Sequence, residues 1–60
     1  MKEKIRALRE TKGLSQAELA EALGLDQTTV SAWERGISEP TLFNLRRLAA
    51  VLGVEPGDLI

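Results

Sequence analysis

The sequence predicts an all-α fold, five short helices in a single domain spanning residues 1–60. Three observations predict it. Apolar residues recur at spacings of three and four, in Met1, Ile5 and Leu8 and again along Leu42, Leu45, Leu48, Ala49 and Leu52. Ser15 followed by Glu18 forms a capping box, which satisfies two free backbone donors reciprocally at a helix start. Glycines then fall where the helical runs end, at positions 13, 24, 36 and 53.

The first helix runs from about Lys2 to Lys12, and Leu14 follows Gly13 as a buried corner. The second opens at Ser15 and turns Leu19, Ala20 and Leu23 inward, with Ala20 small enough to let the next helix approach closely. A turn of three residues, Gly24-Leu25-Asp26, separates it from the third helix, and Leu25 plugs the corner. Asp26 is the expected cap of that third helix, because its carboxylate suits both the free N–H groups and the positive end of the helix dipole. Gly36 closes the third helix as Gly24 closes the second.

On a wheel of about 100° per residue with Gln27 at zero, Val30 falls near 300° and Trp33 near 240°. Gln27, Thr28, Ser31, Ala32 and Arg35 occupy the other side, a stripe with amides, hydroxyls, a methyl and a guanidinium but no carboxylate. Trp33 is expected at the centre of the core, touching the first, second and fourth helices. Residues 37–41 form the one loop of any length. Thr41 caps the fourth helix, and Leu42 is expected on its inward stripe with Leu45, Leu48, Ala49 and Leu52. The fifth helix is a stub, with Pro56 in its first turn, Asp58 at its positive end, and Leu59 and Ile60 returning to the core or an interface.

Composition removes several classes of function. The chain has no histidine and no cysteine, so serine or cysteine hydrolase arrangements and the usual metal ligands are missing, and no disulfide can form. Glu18 and Glu21, one turn apart, read as a solvated face rather than an acid-base pair, and no glycine-rich phosphate loop is present. The expectation is a protein that is not an enzyme and has no cofactor, metal or evident small-molecule ligand. The longest apolar run is Leu48 to Leu52, too short for a membrane span, and Met1-Lys2-Glu3 leads into an amphipathic helix rather than a signal peptide. Cytoplasmic location is expected. The net charge is −1, but residues 1–12 carry +3, from Lys2, Lys4, Arg6, Arg9 and Lys12 against Glu3 and Glu10. That predicts a modestly positive first helix on an acidic body.

The run containing Leu19, Ala20, Gly24, Leu25, Val30 and Trp33 at these spacings resembles the helix-turn-helix of the lambda repressor and Cro-like family, the xenobiotic-response-element type of bacterial and phage regulators. The likeness continues through Trp33-Glu34-Arg35-Gly36, Pro40, Leu42, Leu45, Leu48-Ala49, Leu52-Gly53-Val54 and Leu59, and so covers essentially the whole chain. It implies a compact five-helix, lambda-repressor-like domain that binds double-stranded DNA sequence-specifically and serves a transcriptional regulator, repressor-like in kind. The third helix would enter the major groove, with Gln27, Thr28, Ser31 and Ala32 reading bases. Gln pairs bidentately with adenine, and the methyls of Thr28 and Ala32 suit the thymine methyl. Gln16 resembles the family's phosphate contact. Arg35 and Thr41 stand between two roles, backbone contacts from the loop side or a solvated charge and a cap. The resemblance further implies an ion pair of Arg9 with Glu34 and a homodimer seam through Phe43, Leu59 and Ile60. Two features depart from the family: the loop residues Ile37-Ser38-Glu39 are acidic rather than basic, and Phe43 lies off the inward stripe. The acidic loop and net charge keep open a second reading, a protein-interaction module of antitoxin or scaffold type that docks protein on the same helix face.

Overall fold

The computed structural model describes residues 1–60 and contains helices and turns only. Helix α1 spans Lys2–Thr11, α2 Gln16–Leu23, α3 Gln27–Glu34 and α4 Leu42–Leu52. The expected fifth helix is a single 3-10 turn, Pro56–Leu59. Lys12 lies just outside α1 as its C-terminal cap.

The capping chemistry accounts for most boundaries. The Ser15 hydroxyl accepts the Glu18 N–H at 3.0 Å, and the Glu18 carboxylate accepts the Ser15 N–H at 2.8 Å. Those bonds, the Ser15 N–H first, hold the Glu18 carboxyl below its usual range. At the other end of α2, Gly24 has φ +69°, a conformation that strains any residue with a Cβ. It lets Gly24 and Leu25 donate back to the carbonyls of Glu21 and Ala20. Gly36 repeats the arrangement beyond α3 at φ +73°, with Gly36 and Ile37 donating to Trp33 and Ala32. Thr41 caps α4, its hydroxyl accepting the Asn44 N–H at 3.2 Å. Asp26 departs from expectation. It occupies the cap position of α3, but its exposed carboxylate makes no bond to the helix.

Eleven apolar side chains form one buried cluster: Ile5, Leu19, Ala20, Leu23, Val30, Trp33, Leu45, Leu48, Ala49, Leu52 and Leu59. Each fully buried Leu or Ile contributes roughly 1.5–3 kcal/mol. Met1, Leu8, Leu14 and Leu25 pack partly buried against its rim. Two expectations are corrected here. Leu42 stands 62% exposed, because it lies at the edge of the α4 stripe in the first turn, beyond the reach of the other helices. Leu59 is fully buried within the core and is not available to a dimer seam. Trp33 is buried in the core cluster, as expected. Helix α3 packs mainly on α2 and α1 rather than on α4, and Trp33 lines a shallow cleft with Met1, Lys2, Gly36 and Ser38.

Candidate nucleic-acid interface

Helix α3 divides by burial as its wheel predicts. Val30, Trp33 and Glu34 face inward; Gln27, Thr28 and Arg35 are exposed; Ser31 and Ala32 are half-buried on the shoulder. None of the side chains of Gln27, Thr28, Ser31 or Arg35 is engaged in a hydrogen bond or ion pair within the protein. A continuous polar stripe is therefore free to bond to something else.

Behind that stripe the helix is fixed by polar contacts. The Glu34 carboxylate, fully buried, accepts Arg9 Nε at 2.6 Å and a terminal Arg9 nitrogen at 2.9 Å, a two-point pairing whose geometry admits little rotation. Arg9 also donates to the Leu14 carbonyl at 2.8 Å. This is the ion pair that the resemblance implies. Burial works to raise the Glu34 carboxyl, but the bonds from Arg9, Gln16 and Arg6 outweigh it and hold the carboxyl below its usual range. The bond to Glu34 in turn raises the Arg9 guanidinium.

Two members of this network were not anticipated as such. Gln16 Nε2 donates to Glu34 at 3.0 Å, and Arg6 Nε donates to the same oxygen at 3.3 Å. Arg6 precedes Arg9 by one turn on the same side of α1, a spacing visible in the sequence. Gln16 had no such signal, since its approach to Glu34 depends on how α2 crosses α3. Thr41 is engaged as a helix cap, which leaves its hydroxyl hydrogen free.

The positive first helix resolves into separate sites. Lys4 Nζ donates to the Ile60 carbonyl at 2.6 Å, Lys12 lies against Gly53, and Arg9 is buried and paired. The five cations thus do not form one face: Arg6 and Arg9 turn to Glu34 and Lys2 lies beside Arg6, while Lys4 and Lys12 lie against the C-terminal part of the chain. On α4, Phe43 is 70% exposed, with the Arg47 guanidinium 5.6 Å from its ring centroid, and Ile60 and Ile37 are also exposed.

This geometry, two short helices joined by a three-residue turn with a free polar face on the second, defines a helix-turn-helix protein. The chain belongs to that family: the helix-turn-helix family model matches residues 5–59. It is 46% identical over 56 residues to a hypothetical transcription factor of Neisseria meningitidis, covering 93% of this chain and 53% of that protein. The fold is similar to that of the phage P22 c2 repressor in complex with a synthetic operator, with a TM-score of 0.93 and 36% identity over 98% of this chain and 89% of that one. It is also similar to part of hydroxypropylphosphonic acid epoxidase from S. wedmorenis, with a TM-score of 0.90 and 42% identity over 97% of this chain and 31% of that one. The chain spans about half the length of the first curated relatives it matches.

Proposed function

We infer that the chain binds double-stranded DNA sequence-specifically by laying α3 in the major groove, as the DNA-binding domain of a transcriptional regulator of repressor type. The observation that carries this reading is the outer stripe of α3, which is free of carboxylates and of internal partners while its inner side is locked through Glu34. The similarity to a repressor in complex with its operator supports the same docking. Gln27 and Thr28, at the exposed start of α3, lead the base contacts, with Ser31 and Ala32 on the shoulder beside them. Gln16 contacts phosphate through the amide hydrogen that Glu34 does not take, and Arg35 and Thr41 add backbone contacts at the other end of the helix. A second copy meets this one through Phe43 and Ile60, both exposed. The domain itself performs no catalysis and works in the cytoplasm of a bacterium or on behalf of a phage; no helix is long and apolar enough to cross a membrane.

The test is selection of bound sites from a random duplex library. An enriched motif with half-sites about 34 Å apart supports the reading and the dimer together. Recovery of random sequence with no enrichment overturns sequence-specific binding. A second reading, a protein-docking module, draws on the net charge of −1 and on the fold's use as about a third of an epoxidase. A salt series separates the two, because duplex binding weakens linearly in log-log form as counterions are released.

A further inference from the structure

The network behind α3 leaves one cation unspent. Glu34 brings one negative charge and receives two guanidinium groups, so the cluster keeps a net charge of +1. The two arginines use it unequally. Arg9, with its side chain 10% exposed, commits Nε and one terminal nitrogen to Glu34 and the other to the Leu14 carbonyl. Arg6, with its side chain 52% exposed, gives Glu34 only its Nε. Its two terminal nitrogens, with four N–H donors, bond to nothing in the protein. Gln16 donates to the same Glu34 oxygen as Arg6 does and keeps a second amide hydrogen. A charged donor group and a neutral one, on different helices, are thus tethered to a single oxygen, and both reach solvent.

We propose that Arg6 and Gln16 together clamp one backbone phosphate of the duplex, with Glu34 as the positioning residue that orients both donors before DNA arrives. This rests on the DNA-binding reading above. A phosphate fits the pair because it offers several acceptor oxygens to a planar guanidinium fork and to a lateral amide N–H at once. Prior anchoring through Nε matters because Arg6 then has little rotamer freedom left to lose on binding. Of the other cations of α1, Lys4, about 160° round the helix from Arg6, is held by the Ile60 carbonyl and Lys12 lies against Gly53, while Lys2, one turn before Arg6, lies against Gly36 and lines the same cleft as Arg6 with Glu3 and Glu10.

The experiment is a salt series of binding to a random-sequence duplex, with the fold of each variant checked by circular dichroism and melting. Arg6→Ala should reduce the steepness of log K against log salt by about 0.9, the contribution of one phosphate, while Arg6→Lys keeps the parent's slope. Arg6→Gln retains a donor for Glu34 without the charge, so it should lose slope as Arg6→Ala does and serves where the alanine variant folds poorly. Gln16→Ala should weaken binding without changing the slope, and the double variant should lose less than the product of the two single losses, since both act on one phosphate. Lys4→Ala is the control and should leave the slope unchanged. Folded Arg6→Ala and Arg6→Gln proteins with the parent's slope would overturn the clamp while the DNA reading stands. A parent chain with no salt-dependent duplex binding would overturn both.

Discussion

Where α1 meets α3, Arg6, Arg9 and Gln16 converge on one buried carboxylate; where α4 meets the C-terminal turn, Leu45, Leu48, Leu52 and Leu59 bury apolar surface in the common core. The two regions do different work. Apolar burial is non-directional and scales with area, so it stabilises the domain without fixing the rotation of any one helix. A two-point guanidinium-carboxylate pair is directional, and it holds the back of the helix whose front is free. The α4 end adds non-directional stability to the common core, and the polar network at the α1 end holds the back of the reading helix.

The largest effect that this contrast predicts is at its apolar end. Leu48→Ala, at a fully buried position, should cost about 2–5 kcal/mol. A domain of this size has only about 3–9 kcal/mol in total, so the variant should melt lower by more than about 10 °C. Thermal denaturation followed by circular dichroism measures it; an unchanged melting curve would remove Leu48 from the core. At the polar end, Arg9→Ala should cost about 3 kcal/mol, the lower end for a broken buried pair, because Glu34 keeps Arg6 and Gln16 as partners. The sharper sign is the double-mutant cycle with Glu34→Gln: a coupling of zero between Arg9 and Glu34 would make them two independent charges.

Acid should distinguish the two ends further. The Glu34 carboxyl titrates below its unfolded value, so its stabilising effect is fully present above that value and is lost as pH falls through the lower, folded one. The parent should therefore lose stability in acid, and Glu34→Gln should show a shallower loss, the remainder coming in part from Glu18, which is shifted the same way. Leu48→Ala should keep the parent's acid slope at lower overall stability. Chemical denaturation at a series of pH values gives the slopes, and equal slopes for the parent and Glu34→Gln would contradict the role given to the network.

How much of this was legible in the sequence follows the range of the forces involved. Capping is local: Ser15 with Glu18, the glycines after each helix and Thr41 before α4 fixed the boundaries within a residue or so. The inward stripe was legible wherever periodicity alone decides burial, as for Leu45, Leu48, Ala49 and Leu52. It misled at Leu42, whose exposure depends on where the neighbouring helices stop. Asp26 had the right residue type for a cap and sits at the cap position, but its carboxylate makes no bond to the helix, for which the sequence carries no signal. At the site, the division of α3 into two faces was readable, and the pairing of Arg9 with Glu34 came from the family resemblance. The joining of Gln16 and Arg6 to that pair was not readable, since it requires the distance between three helices.

The central claim is that the outer stripe of α3 reads DNA bases, and Gln27 tests it most directly. The measurement is a binding titration of Gln27→Ala against a selected site and each of its single-base variants. The account predicts a loss of about 1–3 kcal/mol on the preferred site, with selectivity relaxed at one base pair and retained at the others. A Gln27→Ala protein that binds every duplex as the parent does would contradict it, and would leave the free face of α3 to a protein partner instead.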